Sequence, residues 1–127
     1  MMALTKATQT GNELSTFTYE SILEDADETP LTLASIDSAT LTLFDATTGN
    51  IINSRDAHDI KNANQVTIHA TSGQLTWESV ALDSPIEGAR VPGEKERHIA
   101  QFDIVYATTK RLTHELTLYV EALQKLP

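Results

Sequence analysis

The sequence predicts an all-β protein, an antiparallel sandwich or barrel of about seven to eight short strands. Thr supplies 18 of the 127 residues, and many threonines alternate with Leu, Ile, Val or Phe. Because Thr is β-branched, it suits the solvent-facing side of a half-buried strand. Turn-forming segments separate the alternating runs at intervals of roughly 8–12 residues, which favours a sandwich. No convincing long helical pattern precedes residue 112.

Length and composition indicate one domain and argue against several classes of function. We expect a flexible N-terminal arm over residues 1–15 and a single domain over residues 16–127. The absence of Cys excludes disulfides, thiol catalysis and iron–sulfur clusters. The formal net charge of −9 argues against nucleic-acid or anionic-membrane binding, because phosphates repel an acidic surface. No apolar segment follows the first few residues, so we expect no signal peptide.

The N-terminal part of the domain alternates over two short runs. Residues 16–23 predict a strand with Phe17 and Tyr19 on one face. The acidic residues 24–30 predict a turn that ends before a second short strand over residues 31–34.

Residues 38–54 predict a β-hairpin. Residues 38–44 form the clearest strand of the sequence, and residues 45–50 predict a turn because Gly49 tolerates a positive φ. The returning strand begins at Ile51. One face of the first strand carries Ala39, Leu41 and Leu43.

Two further hairpins follow a polar loop at residues 56–64. Residues 65–70 and 75–80 form the first, and residues 97–106 and 112–120 form the second. One face of these strands carries Leu75, Trp77, Ala100, Phe102, Ile104, Tyr106, Leu116, Leu118 and Val120.

The last strand has a helical alternative. A helical stripe is formed by Leu112, Leu116, Tyr119, Leu123 and Leu126. The β-branched Thr113 and Thr117 and the tight turn before them favour a strand, with a short helical tail from Glu121 as an option.

No group of residues matches a catalytic or metal-binding signature, so we expect neither enzymatic activity, nor a cofactor, nor a metal. Asp56, His58 and Asp59 lack the paired His spacing of zinc sites and predict a solvated loop. The acidic residues 24–28 lack the Gly and distal Glu of a calcium loop. Trp77 is the only Trp, and we expect a core side chain rather than a sugar-stacking surface.

Four segments together carry a resemblance to a known family. They are TLTLFDATTG (40–49), with a D-x-x-x-G turn, GQLTW (73–77), IAQFDIVY (99–106) and ELTLYV (115–120). Over residues 38–120 the sequence resembles the small immunoglobulin-like β-sandwich modules of tailed-phage virions, such as the N-terminal domain of upper baseplate proteins. The resemblance implies an antiparallel immunoglobulin-like β-sandwich.

The resemblance also implies a non-enzymatic virion structural protein in a baseplate, neck or head–tail connector. Such a protein would assemble in the host cytoplasm with other virion proteins, as a homo-oligomer in a symmetric ring. We expect contacts through residues 1–15 and 81–97, and the candidate partner-binding residues are Thr5, Lys6, Arg90, Val91, Glu94 and Arg97. A carbohydrate- or receptor-binding module and a small acidic hydrolase are the alternatives.

Overall fold

The computed structural model describes residues 2–88 and 90–124, with the side chains of residues 2–6 outside the described part. Its strands are β1 (Met2–Asn12), β2 (Thr18–Ile22), β3 (Ile36–Asp45), β4 (His58–Asp59), β5 (Val66–Ile68), β6 (Gln74–Glu78), β7 (Lys95–Tyr106) and β8 (Lys110–Glu121). Two single 3₁₀ turns, Leu33–Ser35 and Ala81–Asp83, lie between strands. The prediction of an all-β protein is confirmed.

The strands form two sheets. Sheet A has the order β1-β8-β7-β3-β4, and sheet B has the order β2-β6-β5. The β5–β6 and β7–β8 pairs are antiparallel, which confirms the second and third predicted hairpins. The expectation of purely antiparallel strands is wrong at one edge, because β1 runs parallel to β8. These two strands come from opposite ends of the described chain, so no hairpin turn fixes their relative direction.

The core lies between the sheets and is lined by the faces that the alternation predicts. Its centre is Trp77, which is fully buried and meets Phe17 and Phe102 edge-on at ring-centroid distances of 5.0 and 5.8 Å. Burying such a side chain contributes about 1.5–3 kcal/mol. The predicted inward residues are all buried: Ala39, Leu41, Leu43, Leu75, Trp77, Ala100, Phe102, Ile104, Tyr106, Leu116, Leu118 and Val120.

The N-terminal segment differs from the expected flexible arm. Residues 2–12 form β1, which pairs with β8 in continuous register from Met2–Arg111 to Asn12–Glu121. Beyond the strand, the Leu14 N–H donates to the Ser84 carbonyl at 2.7 Å. An edge strand is held mainly by backbone hydrogen bonds, so its side chains need not show the strong apolar alternation of a central strand.

The first predicted hairpin is only partly formed. Its return is a single bridge between Phe44 and Ile51, and β3 pairs instead with β7 and with β4. Asn53 and Ser54 have φ values of 53° and 55°, which end the extended conformation soon after the bridge.

Three smaller differences concern the second strand and the C-terminal segment. The strand expected over residues 31–34 is replaced by the 3₁₀ turn, in which the Ser35 hydroxyl donates to the Thr32 carbonyl at 2.7 Å. The helical alternative for residues 112–120 is wrong, since β8 covers them. Residues 122–124 are not helical, and the rest of the possible helical tail lies outside the described residues.

A buried ion pair joins the loop after β3 to the loop after β6. The Arg55 and Asp83 side chains are 1% and 0% exposed, and Nε of Arg55 donates to Oδ1 of Asp83 at 2.6 Å. Two neighbours complete the network. The Gln65 side-chain oxygen accepts a hydrogen bond from Arg55 at 2.8 Å, and the Asn53 amide donates one to Asp83 at 2.9 Å. The guanidinium also lies 5.7 Å from the centre of the Trp77 ring. This network explains why the chain turns inward at residue 55 instead of continuing the hairpin.

Candidate functional site

The outer edge of β1 is the longest unpaired strand edge in the part of the chain that the structure describes. β1 has eleven residues and lies at the end of sheet A, with β8 on one side only. In a parallel ladder, alternate residues direct their N–H and C=O groups away from the partner. The strand contains no Pro, and its only charged residue is Lys6. It therefore lacks most features that protect edge strands from pairing with another chain.

The other edge strands are much shorter. The strands β2, β4 and β5 have five, two and three residues respectively. Short edges offer few unpaired backbone groups, so they are weak templates for strand addition.

The C-terminal end of β1 is fixed by the buried carboxylate of Glu13. Its Oε1 accepts from Nε of Arg90 at 2.6 Å and from the Leu123 N–H at 2.7 Å. The Glu13 N–H donates to the Glu121 carbonyl at 2.9 Å. Arg90, a predicted partner-binding residue, is thus engaged within the chain, and its side chain is 30% exposed.

A cleft of about 300 Å³ opens between the loop before β7 and the start of that strand. We call it the loop cleft; its lining includes Ile86, Val91, Glu94, Glu96, Arg97 and Ala122. The structure therefore brings together three of the predicted partner-binding residues, Val91, Glu94 and Arg97. Thr5 and Lys6 lie apart from it, where β1 pairs with His114 and Glu115, and their side chains are outside the described part.

Beside the loop cleft, Asp45, Glu96 and His98 form a polar cluster. Asp45 and His98 are cross-strand partners on β3 and β7, and Glu96 lies two residues before His98 on the same face. Asp45 and His98 are buried, and the Glu96 side chain is 18% exposed. Nε2 of His98 contacts Oε1 of Glu96 at 2.5 Å. One ligand atom from each residue lies within 4.8 Å of the others, which makes this the cluster able to hold a metal ion among the described residues.

The two carboxylates of this cluster are stabilised in their ionised form. Burial would raise the pKa of Asp45, but the Thr48 hydroxyl, backbone N–H groups and the charge of His98 outweigh it and lower that pKa. Burial likewise acts to raise the pKa of Glu96, and the hydrogen bond from His98 and two loop N–H groups lower it overall. Nδ1 of His98 is buried without a hydrogen-bond partner among the described residues.

A second buried histidine lies in the core between the sheets. Nε2 of His114 on β8 is hydrogen-bonded to the hydroxyl of Tyr19 on β2. Burial lowers the pKa of His114, and burial also raises the pKa of Tyr19 against a hydrogen bond with Ser21. The neutral form of both side chains is therefore favoured inside the fold.

The residues that the sequence suggested as candidates for metal or sugar binding make contacts within the fold. His58 contacts Arg55 through Nδ1 at 3.4 Å, and Asp59 accepts the Lys61 N–H at 3.1 Å. Within the acidic turn, Asp25 accepts two backbone N–H groups of its own turn. The interpretation of Trp77 as a core side chain is confirmed, so its ring offers no accessible face to a sugar.

Sequence reasoning missed the Asp45, Glu96 and His98 cluster. Glu96 and His98 show the i, i+2 spacing that places side chains on one face of a strand. Asp45 joins them only through the pairing of β3 with β7, which the sequence does not specify.

Comparisons with family models, with curated proteins and with solved structures return no match for this chain. Among the described residues, no helix has the length and apolar character needed to cross a membrane.

Proposed function

We propose that this chain is an immunoglobulin-like β-sandwich whose role is assembly with other protein chains. The strand orders β8-β7-β3-β4 and β2-β6-β5 support the immunoglobulin-like assignment. In immunoglobulin domains one sheet has the strand order G-F-C-C′ and the other has the order B-E-D. When β2 to β8 are lettered B, C, C′, D, E, F and G along the chain, both sheets have these orders. The additional strand β1 precedes the strand lettered B and pairs with β8, the strand lettered G.

The observation that carries the assembly role is the free outer edge of β1. Eleven residues in continuous register with β8 present a backbone edge with a single charged residue. A strand from a neighbouring chain can add to such an edge, because its main-chain hydrogen bonds satisfy the outward N–H and C=O groups. Residues at the adjacent loop cleft, Val91, Glu94 and Arg97, would extend the contact at the Asn12 end of β1.

We propose further that the assembly is part of a tailed-phage virion, in a baseplate, neck or head–tail connector. The support is the resemblance of residues 38–120 to virion sandwich modules, together with a two-sheet fold that agrees with it. A repeated contact of one edge with a different surface of the next copy closes into a ring when the rotation allows it. The partners would be further copies of this chain and other virion structural proteins.

Molar mass in solution tests the assembly role. Size-exclusion chromatography with light scattering should show oligomers of the wild type. The double variant Thr8→Lys/Thr10→Lys places two charges on the exposed side of β1 and should shift the protein towards the monomer. The matched control Thr67→Lys changes an exposed Thr of the three-residue strand β5 and should assemble like the wild type.

Circular dichroism melting of each variant verifies that the fold is retained. A wild type that is strictly monomeric and does not co-sediment with virion proteins would exclude the proposed function. Oligomers of equal mass in the wild type and the β1 variant would exclude the role of the β1 edge.

A further inference from the structure

The inward face of sheet A changes from apolar to polar at one end. On β3 the buried residue Leu43 is followed, two positions on, by buried Asp45. On β7, Ala100 is preceded on the same strand by buried His98 and then by Glu96. Side chains that face a core are normally apolar, so three ionisable groups at consecutive inward positions need a specific reason.

The cluster contains one buried ring nitrogen, Nδ1 of His98, that has no hydrogen-bond partner among the described residues. An ionised carboxylate is only an acceptor, so the 2.5 Å contact requires Nε2 of His98 to carry a proton. Two carboxylates and an imidazole with an unpartnered nitrogen therefore lie together in a largely buried position. Buried groups in this state are costly unless a cation compensates them.

We infer that Asp45, Glu96 and His98 form a binding site for one divalent transition-metal ion of the zinc class. The donor set is one imidazole nitrogen and two carboxylate oxygens, all ligands that zinc accepts. Ligand atoms around a tetrahedral zinc lie roughly 3.4 Å apart, given metal–ligand distances of about 2.1 Å. The ligand atoms lie within 4.8 Å of one another, so small side-chain movements would bring them to that geometry, and the proton between His98 and Glu96 would be released to solvent as the ion binds.

The position of the site predicts what a bound ion would do. Glu96 also accepts the N–H groups of Glu87 and Gly88 at 2.7 and 2.9 Å, so its carboxylate already ties the loop to β7. An ion shared by Glu96 and Asp45 would join this loop to the end of β3 as well. Because Glu96 also lines the loop cleft, the fourth coordination position can be reached from that cleft. The inference does not rest on the proposed assembly role.

Calorimetric titration of the metal-free protein with Zn²⁺ tests the site, with thermal unfolding as a second readout. We expect one ion per chain and a rise in Tm of about 5–10 °C at saturating zinc. Asp45→Asn preserves the shape of the side chain and should lower the zinc affinity at least about 10-fold, as should His98→Gln. The matched control His69→Gln alters an exposed histidine outside the cluster and should bind zinc like the wild type.

The zinc-dependent change in Tm is compared within each variant, so an altered starting stability does not affect the conclusion. If His98→Gln does not fold, the Asp45→Asn variant alone decides, with Co²⁺ absorption in place of calorimetry. Absence of saturable zinc binding would overturn the inference. So would equal zinc affinity in the wild type and Asp45→Asn, which would indicate adventitious binding at surface histidines.

Discussion

Removing Asp83 should be among the most damaging single changes in this protein. Asp83→Ala leaves the Arg55 guanidinium 1% exposed with no carboxylate in contact. The change removes two charge-assisted hydrogen bonds to Arg55, at 2.6 and 3.1 Å, and the acceptors of the Asn53 amide and the Val80 N–H. Breaking a buried pair in this way costs about 3–5 kcal/mol. Exposed ion pairs contribute only about 0–1 kcal/mol.

A loss of this size is a large fraction of the total stability of a small domain, about 5–15 kcal/mol. It corresponds to a fall in Tm of about 10–20 °C for a chain of this length. Urea unfolding followed by Trp77 fluorescence measures the loss directly, because the indole passes from a fully buried site to water.

Two further variants separate charge burial from simple loss of contacts. The double change Arg55→Met/Asp83→Leu should be more stable than Asp83→Ala, because no unpaired charge stays buried, although the Asn53 amide and the Val80 N–H still lose their acceptor. The control Asp56→Ala removes an exposed carboxylate next to Arg55 and should change stability by no more than about 0.5 kcal/mol. A loss below about 1 kcal/mol in Asp83→Ala, or a double variant that is less stable than Asp83→Ala, would contradict the expected cost of an unpaired buried charge.

Two other predictions concern a buried histidine and a glycine. Burial lowers the pKa of His114 in the folded protein below its ordinary value of 6.5. As the pH falls, the imidazole is therefore protonated in the unfolded chain before it is protonated in the folded one, and the free energy of unfolding should fall below about pH 6.5. His114→Gln should flatten this dependence in urea unfolding between about pH 7.5 and 5.5; an unchanged slope would contradict it. Gly73→Ala should cost about 2–5 kcal/mol, because a Cβ would lie 2.7 and 2.8 Å from the carbonyls of Leu23 and Leu31. Gly49→Ala, at a similar φ with open space around it, should cost only about 1–2 kcal/mol; equal losses would contradict the steric argument.

The parts of the fold that the sequence predicts well are those decided locally. Alternation identifies the inward faces of β3, β6, β7 and β8, and short turns connect β5 to β6 and β7 to β8. In each case neighbouring residues determine both the strand and its partner. The all-β class follows from this pattern alone.

The parts that the sequence does not predict depend on distant pairings. Residues 2–12 form a strand because they pair with the edge of β8, and no local pattern in their sequence predicts that pairing. The hairpin expected after β3 is limited to one bridge, because Arg55 lies in the core, where it pairs with Asp83. The strand propensity of residues 51–54 favours a hairpin less strongly than the interactions of the buried Arg55–Asp83 pair oppose it.

The same distinction holds for the candidate sites. Val91, Glu94 and Arg97 are close in sequence and meet at one cleft, as a loop contact requires. The polar cluster was missed because Asp45 and His98 become neighbours only when β3 pairs with β7. Alternation shows which face of each strand is buried, but not which residues lie opposite one another.

Amide hydrogen exchange of β1, compared between the monomer and the assembled protein, shows whether a strand of another chain adds to its outer edge. We expect amide protection to alternate along residues 2–12. Amides that point to β8 should be protected in both states, and those that point outward should become protected at least about 10-fold on assembly. Outward amides that exchange at the same rate in both states would contradict strand addition at this edge.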